Sequence, residues 1–337
     1  MEKTRLISID IARAICIILV VIGHYNPENS PNWYETINNV IYSFHMPLFM
    51  FASGYVYWAT RKTIQYKDFV WNKFQRLMIP YFFVSFVIIT IKLLTEKGLS
   101  VQNPVEISAF YEMFYLPIAG FFLWFVFALF LIFLIIPLFN TRKHLFILLF
   151  FSLILYFIPI SFPNIFCLAQ FKGYLLYFVL GCVLFDWTNV RHFFDKIHIL
   201  VALCVFVGLY LLKRYIDVVA IKSILIICIA FVGIIFISNL SKQIEMKTIF
   251  AKKILLLVSA CSYTIYLFHT TFEGFTKAAI LKLPSSSLSI INNQLLFIST
   301  AMIVVLVGVI APIILHKIIM KYSWLFSYLI GTKYNPK

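Results

Sequence analysis

Two polar residues in the first apolar segment are spaced so that they could act together. Arg13 and His24 are eleven residues apart. On an α-helix this is about three turns plus 20°, so both side chains lie on one face, about 16 Å apart. Arginine offers a planar fork of donors suited to phosphate or carboxylate, and histidine can act as a general base near neutral pH. The spacing suits a substrate with an anionic head near Arg13 and a reactive end near His24.

A structural interpretation of the same segment stays open. Asp10 precedes Arg13 by one helical turn and can pair with it. In this interpretation Asp10 and Arg13 form an ion pair that only stabilises the helix, and His24 caps the helix near its end.

The second apolar segment carries His45 beside Pro47, followed by Ser53 and Gly54. Pro47 lacks the N–H that would bond a carbonyl four residues earlier, so it predicts a kink beside His45. Ser53 and Gly54 are small and allow close approach of another helix. Taken alone, His45 is also explained by simple packing as a buried, hydrogen-bonded side chain.

Polar residues recur at helical spacing in a late apolar segment. Ser262, Tyr266, His269 and Glu273 fall within about 40° of one face, and Tyr263 lies about 60° from it. Such a stripe predicts a helix face turned toward the bundle interior or a wet cavity. An aromatic belt with a cap at the outer end would account for Tyr263 and Glu273, but accounts less well for His269.

Composition determines what kind of protein positions these side chains. Hydrophobic residues make up 62% of the 337 residues and charged residues only 12%, whereas soluble domains are about 45–50% apolar and about 25% charged. This excludes a disordered chain, argues against a soluble enzyme, and predicts an all-α, polytopic membrane helix bundle. Because a central arginine in a span costs about 2.5–3.5 kcal/mol on insertion scales, Arg13 is a functional candidate.

Ten apolar runs are long enough to be predicted as spans, and the whole chain, 1–337, is expected to be one membrane domain without a fused soluble domain. The predicted spans are Leu6–Tyr25, Ile37–Trp58, Leu77–Leu94, Ala119–Phe139, Leu145–Ile160, Phe171–Phe185, Ile197–Leu212, Val219–Ser238, Ile254–Phe272 and Leu295–His316.

The net charge of +15 is explained mainly by orientation. With the N-terminus in the cytoplasm, 19 basic residues lie on the cytoplasmic side and 8 on the outer side, so the positive-inside rule predicts both termini inside. Lys213, Arg214 and Lys222 run against this rule. The basic excess therefore does not indicate a nucleic-acid partner, and the six cysteines, which form no CxxC pair, predict neither a metal site nor a disulfide.

Five short motifs in order along the chain resemble the integral-membrane acyltransferase family 3, especially its short members that are similar to fucose 4-O-acetylases. The motifs are Arg13 and His24 with ten residues between them, the stretch Phe44–Tyr55, the third-span motif Arg76-Leu77-Met78-Ile79-Pro80-Tyr81, Leu123-Trp124-Phe125, and the stretch Ser262–His269.

The resemblance implies transfer of an acyl group, usually acetyl from acetyl-CoA, to a hydroxyl of a carbohydrate or lipid-linked glycan, in the inner membrane of a bacterium and without a metal. It implies that His24 is the catalytic histidine and Arg13 its essential partner. Arg76 would help to bind the cytoplasmic acyl-CoA. Tyr266 and His269 would line the site, with Asp10, His45, Ser53, Trp124 and Tyr263 in supporting roles.

The mechanism expected from these residues is attack of a sugar hydroxyl on the thioester with His24 as general base. Tyr266, His269 or Trp124 would stabilise the oxyanion. A covalent acyl-histidine or acyl-tyrosine relay is the alternative within this chemistry. The rival class is a transporter or flippase of a polar or lipid-linked substrate, although no inverted repeat is visible. A structural scaffold leaves the alignment of Arg13 with His24 unexplained.

Overall fold

The computed structural model describes residues 6–27, 30–95, 104–281, 294–332 and 334, and most of them are helical. No β-strand occurs among these residues, which confirms the all-α class. Six basic residues that count toward the predicted orientation lie outside the described residues. They are Lys3, Arg5, Lys97, Lys282, Lys333 and Lys337.

Sixteen α-helices follow one another along the described residues. The first eight are α1 (Ile7–His24), α2 (Asn32–Tyr42), α3 (His45–Thr60), α4 (Tyr66–Lys73), α5 (Ile79–Thr95), α6 (Ala109–Glu112), α7 (Trp124–Ile135) and α8 (Arg142–Phe157). The others are α9 (Leu168–Asp186), α10 (Thr188–Asp195), α11 (Ile199–Leu212), α12 (Val219–Lys247), α13 (Ile249–Ala260), α14 (Ser262–Leu281), α15 (Gln294–Tyr322) and α16 (Trp324–Leu329).

Helix length and hydropathy confirm a multi-pass membrane protein, while the count of about ten spans stays a prediction. Six continuous helical stretches are long and apolar enough to cross a membrane, and two pairs bent by 89° and 77° bring the number to eight. The other two predicted spans, Ile37–Trp58 and Leu145–Ile160, correspond to shorter helices. Both α3 and α8 have 16 residues, about 24 Å of helix against a hydrocarbon core of about 30 Å.

Helix α1 lies at the centre of the bundle. It packs against α3, α12, α13, α14 and α15, and its side chains Ile11, Cys16, Ile17 and Val21 are fully buried. Buried residues lie on most of the circumference of α1, so other helices surround it. Polar side chains on α1 are therefore turned toward neighbouring helices or toward gaps between them.

The predicted continuous span Ile37–Trp58 is wrong in one respect, because the helix is interrupted before His45. Phe44, with φ −140° and ψ −20°, separates α2 from α3. The predicted kink occurs at this point, but Pro47 lies in the first turn of α3. Backbone N–H groups of a first turn have no intrahelical partner, so proline is accommodated there. The proline thus permits a break on its N-terminal side.

The predicted start of the third span at Leu77 is also wrong, because the helix begins earlier. The helix begins at Tyr66 and continues to Thr95 through a π-helical turn at Phe74–Met78. A π-turn accommodates Pro80, which cannot donate to the carbonyl of Arg76 as an α-helix requires. Gly331, in a left-handed conformation with φ +69°, packs against this carbonyl: a Cβ on Gly331 would lie 2.8 Å from the Arg76 oxygen.

The two ends of the bundle can be told apart by their polar contacts. Arg142 Nε lies 2.6 Å from Asp186 Oδ2, and Arg61 donates to the carbonyl of Asn140 over 3.2 Å. Lys242 pairs with Asp195. All three basic residues belong to the side predicted as cytoplasmic, so the helices bring this set together at one end.

The most extensive helix pair is α3 with α9, and two glycines make it possible. Gly54 packs against the backbone of Phe178, and Gly181 packs against the backbone of Phe51, so a Cβ at either position would collide with a carbonyl oxygen. The predicted close approach at Ser53-Gly54 is confirmed for the glycine.

We expect Gly181→Ala to destabilise the protein by about 1–3 kcal/mol, because the new methyl group would force α3 away from α9. Thermal unfolding of the purified protein in detergent measures this change. Gly208→Ala in α11 is the matched control, since nothing lies within 4 Å of its added Cβ. An unfolding temperature for Gly181→Ala equal to that of the control would contradict the packing described.

Candidate functional site

Arg13 is held from two sides. Its Nη1 lies 3.8 Å from Asp10 Oδ1 on the same helix, and its Nη2 donates to Ser262 Oγ on α14 over 3.3 Å. The predicted Asp10–Arg13 pair therefore forms, but it does not account for Ser262. The side chain of Arg13 is 35% exposed and that of Asp10 is 22% exposed, so part of the Arg13 side chain is accessible.

A helix break brings Ser262 to Arg13. Helix α13 ends at Ala260 and α14 begins at Ser262, and the two are bent by 77°. The predicted span Ile254–Phe272 is not one uninterrupted helix, because Cys261 leaves the helical conformation with φ −97° and ψ 2°. The polar stripe nevertheless faces the interior as predicted: Ser262, Tyr266, His269 and Glu273 are all buried.

His24 lies against His269 near the other end of α1. Their ring centres are 4.9 Å apart with an angle of 64° between the planes. His269 is fully buried, whereas His24 is partly exposed. Of the two histidines, His24 is thus the one that a substrate can reach, and His269 stands behind it.

The hydrogen bonds of His269 determine its tautomer. Its Nδ1 lies 3.0 Å from the carbonyl oxygen of Ile265 and 2.8 Å from that of Tyr266. Carbonyl oxygens only accept, so Nδ1 carries the proton and Nε2 is an acceptor. Nε2 is buried and has no hydrogen-bond partner. An unsatisfied buried acceptor is costly in free energy, and here it lies beside the ring of the candidate base.

The two contacts show how α14 is aligned with α1. Arg13 meets Ser262, and eleven residues later His24 meets His269. Residue numbers rise together along both helices, so α1 and α14 run parallel. The polar face of α14 therefore lies along the face of α1 that carries Arg13 and His24. We call the space between these two faces the polar track.

Phe122 was missed from the sequence and lies in the middle of this cluster. Its ring centre is 5.9 Å from that of His24 and 5.2 Å from that of His269. The hydroxyl of Tyr266 donates to the carbonyl of Phe122. Tyr266 thus fixes Phe122 against the histidines instead of offering a free hydroxyl. Phe122 has no polar side-chain atom, and only its position beside Leu123-Trp124-Phe125 could have indicated it.

Trp124 and Tyr263 lie one layer further out. The Trp124 ring packs on Tyr174 with centres 4.7 Å apart. Tyr263 stacks parallel to Tyr266 at 6.5 Å and donates to the carbonyl of Leu77 over 3.5 Å. These two predicted residues support the aromatic cluster and do not contact His24 directly.

His45, Ser53 and Arg76 lie in three different surroundings. His45 is buried, its Nδ1 bonds the carbonyl of Ile41 at 2.8 Å, and it lies within electrostatic range of His24. Ser53 bonds the carbonyl of Phe49 in its own helix, so the structure does not bring it to the histidines. Arg76 is exposed on the π-turn, away from the histidines and accessible to a charged ligand.

Glu273 continues the stripe one turn beyond His269. It is buried, one carboxylate oxygen has no hydrogen-bond partner, and it packs beside Gly308 of α15. Lys277 lies within electrostatic range. The interpretation of Glu273 as a cap at the outer end is wrong, since Glu273 lies inside α14, which continues to Leu281. In the part of the chain that the structure describes, no three His, Cys, Asp or Glu side chains form a metal-binding group.

Comparison of the sequence with known proteins identifies a family and two relatives. The sequence profile of an acyltransferase domain matches residues 6–317. Nodulation protein NolL of Sinorhizobium fredii is 38% identical over 96 residues, which cover 27% of this chain and 26% of that protein. Nodulation protein NolL of Mesorhizobium japonicum is 29% identical over 157 residues, which cover 42% and 38%. The matches thus span about a quarter to two-fifths of these relatives. No solved structure matches.

We expect Tyr266→Phe to destabilise the protein by about 0.5–1.5 kcal/mol, because the buried hydrogen bond from the Tyr266 hydroxyl to the carbonyl of Phe122 is lost. Tyr263→Phe is the matched control on the same helix, since its hydroxyl makes only a 3.5 Å contact. Thermal unfolding in detergent compares the two variants. Equal unfolding temperatures would show that the Tyr266 hydroxyl does not hold Phe122.

Proposed function

This chain belongs to the integral-membrane acyltransferase family, and from that premise we propose that it transfers an acetyl group from cytoplasmic acetyl-CoA to a hydroxyl of a carbohydrate or cell-surface glycan. The observation that carries the proposal is the alignment of Arg13 and His24 along the polar face of α14. A bilayer-embedded bundle that aligns an anion-binding group with a general base is suited to a donor with a charged head and a reactive end. We place it in the inner membrane of a bacterium.

Coenzyme A suits the charged end of this track. Its phosphates would meet Arg76, which is exposed on the π-turn, and Arg13, whose side chain is partly accessible. Arginine binds phosphate through two parallel N–H donors. Arg13 and His24 are about 16 Å apart along α1, so the pantetheine arm would run along the helix and bring the thioester to His24.

The chemical step needs one base. His24 takes the proton from the acceptor hydroxyl as the oxygen attacks the thioester carbonyl. The tetrahedral oxyanion collapses, the C–S bond breaks, and the thiolate of CoA receives the proton from the imidazolium. Base catalysis of this kind contributes about 10²–10⁴-fold. A covalent acyl relay would use the same residues with His24 or a tyrosine as nucleophile.

His269 is a positioning residue in this proposal. Its Nε2 is a buried acceptor without a partner, and its ring lies 4.9 Å from that of His24. Accepting a hydrogen bond from one nitrogen of His24 would fix the tautomer and leave the other nitrogen free as the base. Phe122, held by Tyr266, keeps both rings in place. His269 in this tautomer cannot donate to an oxyanion.

The transporter or flippase alternative is not favoured by the family membership. The name of the NolL relatives refers to nodulation, and their partial coverage leaves the acceptor of this chain to be identified by experiment. Mass spectrometry of surface glycans from cells with and without the protein identifies the acceptor through a mass difference of one acetyl group.

We expect His24→Ala to lower acetyl transfer by about 10²–10⁴-fold, because the general base is lost. Membranes from cells that make the variant are supplied with labelled acetyl-CoA, and label in the glycan is counted. His144→Ala is the matched control, since His144 is exposed on α8. Glycan labelling at the wild-type level in a correctly inserted His24→Ala protein would end the proposal.

We expect Arg13→Gln to weaken CoA binding by about tenfold to a hundredfold, because a charge-assisted hydrogen bond to phosphate is lost. The shift of the unfolding temperature with increasing CoA measures the affinity. Lys143→Gln, an exposed charge on α8, serves as the control for net charge. The same CoA dependence in Arg13→Gln and in the wild type would contradict a role of Arg13 in donor binding.

A further inference from the structure

A cavity of about 570 Å³ lies at the end of the bundle opposite to the Arg142–Asp186 pair. It is formed where α2 breaks before α3, where α8 ends and α9 begins, and where α11 ends beside α12. Its lining residues include five tyrosines, namely Tyr42, Tyr156, Tyr174, Tyr177 and Tyr210. The size is that of a small-molecule site, which is about 300–1,000 Å³.

Two basic residues are the charged side chains in this lining. Lys213 and Arg214 both border the cavity, with Lys213 Nζ 5.9 Å and Arg214 Cζ 6.0 Å from the ring centre of Tyr210. Among the residues that the structure describes, no acidic side chain lines it and neither basic residue forms an ion pair. Both belong to the cluster that runs against the positive-inside rule, so topology does not explain them.

The rest of the lining suits a sugar. Tyrosine presents an apolar ring face together with a hydroxyl that both donates and accepts hydrogen bonds. Asn39 and Ser43 add further polar groups. A saccharide offers C–H faces that pack on aromatic rings and hydroxyls that pair with these groups. Lys213 and Arg214 favour, in addition, a carboxylate or phosphate on the ligand.

The cavity is joined to the histidine cluster through two of its tyrosines. The hydroxyl of Tyr42 donates to the carbonyl of Gly23 over 3.1 Å, one residue before His24, and its ring lies 5.0 Å from that of His45. Tyr174 packs on Trp124. A molecule bound in the cavity would therefore lie next to a side chain that contacts the residue before His24 and the ring of His45.

We propose that this cavity binds the acyl acceptor and that the acceptor is an anionic saccharide, with a carboxylate or phosphate placed at Lys213 and Arg214. The inference rests on the proposed function, because it assigns the second substrate of the same site. The hydroxyl to be acylated points toward His24, while the anion stays at the outer end. The cluster of positive charge on the outer side thereby selects the substrate.

The test measures saccharide binding to the full-length protein in phosphatidylcholine nanodiscs by calorimetry, without CoA. The probes are trigalacturonate, glucose 1-phosphate and the neutral maltotriose. We expect at least one anionic probe to bind about tenfold or more tightly than maltotriose, and the double variant Lys213→Gln/Arg214→Gln to lose this preference. Lys222→Gln, which removes a neighbouring charge outside the cavity lining, should keep it.

Each other outcome overturns the proposal. These outcomes are equal binding of neutral and anionic probes, unchanged affinity in the double variant, and absence of binding by every saccharide. Competition by glycerol phosphate alone would assign the cavity to a lipid headgroup instead. A cooperative thermal unfolding transition like that of the wild type shows that the double variant is folded. Binding is measured without turnover, so the two proposals can fail separately. If His24→Ala keeps acetyl transfer while saccharide binding is as expected, the proposed reaction is refuted and the cavity assignment stands.

Discussion

A charged side chain inside an apolar bundle needs polar partners, and the position of α14 depends on how Arg13 obtains them. Asp10 supplies one partner from the same helix and Ser262 supplies the other from α14. The second contact sets the register of α14 against α1. Because the helices run parallel, the register that satisfies Arg13 also brings His269 to His24. One electrostatic requirement therefore aligns both ends of the polar track.

The interruptions of the helices are as important to the site as the helices themselves. The break at Cys261 lets α14 begin beside Arg13, and the break at Phe44 creates the wall of the outer cavity beside His45. Regular apolar helices would bury every backbone group but leave little space between them. Interrupted helices leave gaps deep in the bundle, and the polar side chains of this protein gather at those gaps.

The sequence predicted those features that depend on one helix at a time. The all-α class, the same-face alignment of Arg13 and His24 and the inward polar face of Ser262 to Glu273 follow from composition and helical spacing. Tertiary contacts could not be predicted in the same way. Ser53 bonds within its own helix, and Phe122 became part of the cluster only through the hydroxyl of Tyr266. A phenylalanine gives no signal of its own in a chain with 37 of them.

The π-turn at Phe74–Met78 can also be described in terms of insertion and deletion. A single π-turn is equivalent to one extra residue in an α-helix, which leaves the flanking turns in their original register. Here the extra residue coexists with Pro80, whose ring would clash with a carbonyl four residues earlier in an uninterrupted α-helix. If the extra residue alone were deleted, the Pro80 ring would clash with the carbonyl four residues earlier. If the proline alone were replaced, no clash would remain for the π-turn to avoid. The two features are thus coupled, and a relative that lacks one of them is expected to lack the other.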